Sequence, residues 1–286
     1  MYNFPDAIQA DPGHTRQFRS GVQLIAEFTC PLENAQEDMW SHSNYFVYVL
    51  EGRKDWQSAD GQLELHVGDM AFVKKGGCIV KQYFGAPFCV LLFFMTDEFI
   101  CEALRSVAIH RPATGPVKPL ETIHVTPAIS GFMHGMWPHF QGAQPMEPVL
   151  VELKLRELVL LIAGDPHNQG FVAGFLAMMQ GRMHERLRRV MEDNYAFNLP
   201  LEAYARMSGR SLSAFKRDFH QVFSAAPGRW LRQQRLRRAK LMLASGDRQV
   251  SEVAFQCGFE NLSHFSRVFK EEFGHSPVEL KRLAAG

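Results

Sequence analysis

The sequence predicts an α+β chain. A small antiparallel β-domain with added helices is followed by an all-helical domain built from a duplicated helix pair. Three observations predict this. Short strand-like runs separated by turn residues fill the first hundred positions. One helix-turn-helix pattern occurs twice in the last hundred. Charge also divides between the halves: from Arg182 onward 19 Lys and Arg face 11 Asp and Glu, whereas residues 1–181 hold 12 against 19. At 286 residues the chain exceeds what a single core usually serves, so two domains are expected.

Residues 1–20, polar and carrying Pro5, Pro12 and Gly13, read as irregular. The strand-like runs are Val22 to Phe28, Tyr45 to Leu50, Lys54 to Gln57, Leu63 to Val67, Met70 to Val73, Cys78 to Phe84 and Phe88 to Met95. Asp60-Gly61 between two of them is a hairpin signal, and Glu51-Gly52, Gly68-Asp69 and Lys75-Gly76-Gly77 mark further turns. Regular short strands of this kind predict a small barrel or sandwich.

Beyond Met95 the pattern turns helical. Asp97 can open a helix reaching Val107, and residues 108–125 read as a proline-rich connection. Thr126-Pro127, a cap followed by an N1 proline, opens a helix to Phe140. Glu147-Pro148 opens another that ends at Gly164 and is apolar on more than one face. Val151, Leu155, Leu158 and Ile162 form one of its stripes, the candidate dimerisation face; burial within its own domain is the other reading. Residues 1–165 are expected to form the first domain, 166–182 a linker with Gly181 as hinge, and 183–286 the second domain.

The second domain carries the most specific signal. Leu201 to Pro227 and Val250 to Pro277 are two copies of one pattern. Ala205 and Gly209 recur 49 residues later as Ala254 and Gly258. Phe215, Arg217, Phe219, Phe223 and Pro227 recur 50 residues later as Phe265, Arg267, Phe269, Phe273 and Pro277. Each copy reads as a short helix, a glycine turn, and a second helix with apolar residues on one stripe and polar, basic residues on the other. Such a unit is what a major-groove reader needs. Between the copies, Pro227-Gly228 opens a long basic helix that stops at Ser245-Gly246.

With Ala254, Gly258, Phe259, then Ser263, Phe265, Arg267, Phe269, then Gly274, Ser276 and Pro277 in place, residues 183–283 resemble the DNA-binding domain of the AraC/XylS family of transcription regulators. The first copy departs from the family pattern at Arg210, where an aromatic is usual, and at Ala226-Pro227. The runs Tyr48–Gly52 and Val67–Gly76 resemble the cupin-like sensor barrel of such regulators. The GDMAFVKKGG run is similar to that of the members that activate type III secretion genes, which partner proteins control.

The resemblance implies a cytoplasmic, homodimeric regulator of promoter DNA, an activator that works with RNA polymerase. The controlling signal would be a small effector or a regulatory protein acting on the N-terminal half. Side chains at the start of each reading helix are expected to contact bases: Ser213, Lys216 and Arg217 in the first copy, Ser263, His264 and Arg267 in the second. Spacings of i, i+3 and i+4 put each trio on one face. Arg217 and Arg267 occupy matching positions in both copies, so a structural role, paired with an acid such as Glu252, is the competing reading. Arg210, Arg232, Arg235, Arg238, Asn261 and Lys270 are the candidate phosphate contacts. The two units should read major-groove segments about 34 Å apart.

In the N-terminal half, Trp40, Tyr45, Phe46, Tyr48, Trp56, Phe72 and Tyr83 could line an effector pocket or simply form core. His42 and His66 stand alone, without the His-x-His and later Glu and His of a metal-binding barrel, so no metal and no cofactor are expected. No Ser/His/Asp order or phosphate loop supports catalysis, which leaves a cupin-type enzyme carrying a DNA-binding tail as the alternative. The five cysteines, Cys30, Cys78, Cys89, Cys101 and Cys257, show no metal-ligand spacing and read as reduced thiols. No apolar run reaches membrane-spanning length.

Overall fold

The computed structural model describes residues 1–11, 15–29, 36–58, 61–83, 87–105, 107–108, 110, 117–142, 145–180, 183–245 and 248–284. The chain forms two compact units, Met1–Arg186 and Leu187–Gly286. In chain order the first contains β1 (Tyr2–Asn3), α1 (Phe4–Ala10), β2 (Thr15–Ser20), β3 (Gln23–Thr29), β4 (Gln36–Ser41), β5 (Asn44–Glu51), β6 (Lys54–Gln57), β7 (Gln62–Leu65), β8 (Met70–Val73), β9 (Gly76–Gln82), β10 (Cys89–Met95), α2 (Asp97–Ala103), β11 (Leu120–Ile123), α3 (Pro127–Gln141), α4 (Pro148–Gly164) and α5 (Gln169–Gln180). Then follow α6 (Met183–Asn194), α7 (Leu201–Met207), α8 (Leu212–Phe223), α9 (Pro227–Ala244), α10 (Val250–Gln256), α11 (Leu262–Phe273) and α12 (Pro277–Ala284).

The strands form two sheets, ordered β1-β4-β9-β6-β7 and β11-β8-β5-β10-β3-β2. The expected α+β class stands, but among the described residues the sheets keep separate ladders and do not close into the expected cupin-like barrel. Among the described residues, every pairing apart from the short parallel β1–β4 pair is antiparallel.

The six-stranded sheet is buried on both faces, and its pleat sorts side chains into two cores. On β10, Val90, Leu92 and Phe94 face the other sheet, joining Tyr45, Val47, Ala71, Met39, Trp56 and Val80. Leu91, Phe93 and Met95 face the opposite way, joining Phe46, Tyr48, Met70, Phe72 and the apolar faces of α2 to α5. The unit is therefore three-layered: sheet, sheet, helices. A strand covered on both sides needs an unbroken apolar run, which is why Cys89–Met95 does not alternate.

Several elements differ from expectation. Residues 2–10 form β1 and α1: Asn3 caps α1 by accepting from the Asp6 amide, and Pro5 lies in the first turn, while Pro12 and Gly13 lie outside the described residues. Strand β2, with little apolar content, is an edge strand paired only with β3. Within the supposed connection, β11 pairs with β8. Helix α5 occupies most of the supposed linker: Phe171 and Phe175 pack their rings on Phe72 at 4.9 and 5.9 Å, so residues 169–180 belong to the first unit. Gly181 and Asp60 lie outside the described residues. β6 and β7 pair antiparallel, as the hairpin signal between them expects.

A buried polar group locks the start of α2. Asp97 accepts from Asn44 Nδ2 at 2.6 Å and from Lys75 Nζ at 2.5 Å, and Asn44 Oδ1 accepts from the Lys75 amide at 3.0 Å. It ties β5, the turn after β8 and α2 together. Burial pushes the Cys78 thiol up to about 12 and those of Cys89, Cys101 and Cys257 up to about 11, so these four are protonated and weakly reactive near neutrality. Cys30 is outside the described residues. No described helix is long and apolar enough to cross a membrane.

Candidate nucleic-acid interface

The duplicated pattern folds as two helix-turn-helix units in which corresponding residues do the same work. In each, the first helix closes on a left-handed glycine, Gly209 at φ +66° and Gly258 at φ +77°. The next amide donates back five residues, Arg210 to the Ala205 carbonyl at 2.9 Å and Phe259 to the Ala254 carbonyl at 3.0 Å. At Gly258 space matters as well: a Cβ there would lie 2.7 Å from the Ala196 carbonyl oxygen.

The reading helices start on side-chain caps. Ser211 accepts from the Ala214 amide at 3.3 Å, and Asn261 from the His264 amide at 2.9 Å. Their inner faces are phenylalanine. Phe215, Phe219, Phe265 and Phe269 are fully buried, with ring centroids 5.8 Å apart in the first pair and 5.4 Å in the second. α9 supplies Leu236, Ala239 and Leu243 to the second core. α11 closes at Gly274 in the left-handed region, and Ser276 and Glu279 then exchange hydrogen bonds as a capping box for α12. In the first copy Ser224 takes the left-handed position at φ +51°, and Ala226 offers no side-chain cap.

All six expected base-reading residues, Ser213, Lys216, Arg217, Ser263, His264 and Arg267, are exposed on the faces opposite the phenylalanines. Arg217 lies 3.3 Å from Asp218, and Arg267 lies 2.6 Å from Glu271 one turn on, with both side chains of the latter pair more than half exposed. The partner of Arg267 is thus Glu271 rather than Glu252. An exposed i,i+4 pair contributes only a few tenths of a kcal/mol, so a phosphate or guanine can displace it.

The phosphate set divides. Arg232, Asn261 and Lys270 are exposed, and Arg238 is half-buried. Arg210 is turned inward: its side chain is 11% exposed, and it donates to Asp218 at 2.9 Å and to the Ser208 carbonyl at 2.6 Å. Asp218 is held below the usual carboxylate range, first by this bond. Arg235 is likewise structural. It donates to the carbonyls of Tyr195 and Phe197, both at 2.7 Å, and of Gly258 at 3.3 Å. Both corrections have one cause: the turns leave carbonyls and a carboxylate facing inward, and guanidinium satisfies several acceptors at once. A cleft of about 470 Å³ runs between the copies, lined by Asn198, Arg232, Asn261 and His264 among others.

In the first unit the supposed effector residues do not share a pocket. Tyr45 and Trp56 lie in the inter-sheet core, whereas Phe46, Tyr48 and Phe72 lie in the sheet–helix core. Trp40 is buried on β4, and Tyr83 is exposed beneath the Arg53 guanidinium. Strand alternation sends neighbours to opposite faces, so an aromatic cluster in sequence is not one in space. The inter-sheet cavity, lined by Phe4, Lys54, Trp56 and Phe88 among others, holds about 20 Å³, room for roughly one water.

The supposed dimerisation stripe is also core. Val151, Leu155 and Leu158 are fully buried and Ile162 nearly so, because they cover the six-stranded sheet. The outward stripe of α4 carries Val149, Leu153 and Leu160, exposed by 70, 56 and 40%.

Residues 44–173 match the family described as the ExsA N-terminal regulatory domain, and residues 204–283 match a helix-turn-helix domain family. The thermoregulatory protein LcrF of Yersinia pestis is 27% identical over 246 residues, covering 84% of this chain and 90% of LcrF. The HTH-type transcriptional regulator ExsA of Pseudomonas aeruginosa is 27% identical over 242 residues, covering 82% and 85%. The HTH-type transcriptional activator RhaS of Escherichia fergusonii is 37% identical over 92 residues, covering 32% of this chain and 33% of RhaS.

Proposed function

This chain belongs to the AraC/XylS family of DNA-binding transcription regulators, and from that premise we propose how its residues divide the work. Ser213, Lys216 and Arg217 read one major-groove segment, and Ser263, His264 and Arg267 read the next. Arg232, Arg238, Asn261 and Lys270 hold the phosphates. The observation that carries this assignment is the pair of exposed hydroxyl-and-cation trios, each set on a capped helix start and backed by buried phenylalanines. Arginine and lysine pair with guanine acceptors, and hydroxyls and imidazole serve bases or phosphates. The protein works as an activator that engages RNA polymerase at its promoters.

Lys216→Ala and Arg267→Ala are each expected to weaken binding to the cognate promoter by ~1–3 kcal/mol, with unchanged melting temperature. Gel-shift titration of the folded variants measures this. Cognate affinity equal to that of the unaltered protein removes the residue from the interface.

The first unit, which matches a family described as a regulatory domain, is the regulated half, controlled by a small effector or a regulatory protein. The outward stripe of α4 is the homodimer face. Leu153→Glu, which touches no core contact, is expected to weaken self-association by at least about tenfold while the fold persists; sedimentation equilibrium reads this, and an unshifted dimer refutes the assignment.

A further inference from the structure

Three potential metal ligands meet where the end of β11 approaches the α4–α5 turn. We propose that His124, Asp165 and His167 form a binding site for one divalent transition-metal ion, zinc being the probe of choice. Asp165 is the fixed element: its side chain is 6% exposed, and its two oxygens are aimed at different imidazoles. Oδ2 lies 2.7 Å from His124 Nδ1, and Oδ1 lies 3.1 Å from His167 Nδ1. One candidate ligand atom from each residue lies within 4.8 Å of the other two. The rings themselves are 4.4 Å apart. Zinc bonds of about 2.0–2.2 Å to nitrogen and oxygen place neighbouring tetrahedral donors about 3.4 Å apart, so His124 must move off Asp165 by about 0.7 Å and His167 by about 0.3 Å, with the two imidazole nitrogens also coming to about 3.4 Å.

The imidazoles are not needed to hold these segments together. Asn168, 3% exposed, already does so. It accepts from the His124 amide at 2.8 Å and donates to the His124 carbonyl at 3.0 Å. Its own amide donates to the Asp165 carbonyl at 3.0 Å. The ligand backbone is therefore pre-set, and the rings, already held against Asp165 and with side chains 52 and 69% exposed, can be reached by an ion from the solvent side. Two neutral nitrogens and one carboxylate select zinc, nickel, copper or cobalt over calcium and magnesium, which favour oxygen shells. With three protein ligands, the fourth position is left to water or an incoming donor. A bound ion would staple the start of α5 to the segment after β11.

The test uses tag-free, full-length protein stripped with a chelator. Calorimetric titration with zinc is expected to show one ion per chain. His167→Ala and His124→Ala, both at exposed side chains, are expected to weaken binding by at least the roughly 10–100-fold that loss of an outer-shell partner costs. His134→Ala, on the exposed face of α3, is expected to leave zinc affinity unchanged. Zinc should raise the melting temperature of the unaltered protein and not of His167→Ala. Absence of saturable binding overturns the proposal, as does binding in both ligand variants as strong as in the unaltered protein.

Discussion

Replacing Arg235 by alanine is expected to lower the stability of the second unit by about 3–5 kcal/mol. The guanidinium makes two 2.7 Å bonds to the Tyr195 and Phe197 carbonyls, a longer one to Gly258, and a contact of 3.3 Å with Asn198 Oδ1. Charge-assisted bonds of this kind are worth about 1.5–3 kcal/mol each, and truncation strands the acceptors. The acceptors come from the turn before the first helix-turn-helix and from the turn inside the second, so Arg235 braces both copies from α9. Promoter affinity should fall more than the stability loss alone predicts, because two reading helices out of register cannot engage one site together. Arg235→Lys should fall between, since an ammonium lacks the planar fork. Urea unfolding followed by amide hydrogen exchange in α7 and α10 measures the effect. Protection equal to that of the unaltered protein would return Arg235 to the phosphate-contact set.

Asp97→Ala is expected to cost about 3–5 kcal/mol in the first unit, the usual penalty for removing one partner of a buried ion pair. The Lys75 side chain is only 18% exposed and Asn44 1%, so neither regains full hydration when the carboxylate is lost. Asp97→Asn should cost less, because an amide oxygen still accepts one of the two hydrogen bonds. Denaturant midpoints, with hydrogen exchange on β5 and α2, separate the two variants. A midpoint for Asp97→Ala within error of the parent would mean that Lys75 reaches water when unpaired.

Legibility in the sequence followed the range of the signal. The second unit was readable in detail because its signals are local: glycine turns at Gly209 and Gly258 and phenylalanines at helical spacing. The exposure of the six base-reading candidates followed from that periodicity. Arg210 and Arg235 were misread because their acceptors are carbonyls and a carboxylate that only the folded turns bring near them. The histidine–aspartate group escaped notice because 41 residues separate His124 from Asp165. Only Asp165 and His167 are neighbours in sequence, and nothing in that short pair marks a partner elsewhere.

By itself the sequence determined the two-domain plan, the duplication, the acidic and basic halves and the family. The plan and the charge division rest on composition and on periodicity within one helix or strand, the duplication on a repeat 49 to 50 residues apart, and the family on the resemblance of the motifs in the second copy. Tertiary structure alone decided which face of a doubly covered strand meets which core. It therefore separated Tyr45 from Phe46, and set Val151, Leu155, Leu158 and Ile162 inward while Val149, Leu153 and Leu160 face out. The physical reason is that an apolar run on both sides of a strand or helix satisfies burial equally in either direction. Only the competing surfaces that pack against it break the tie.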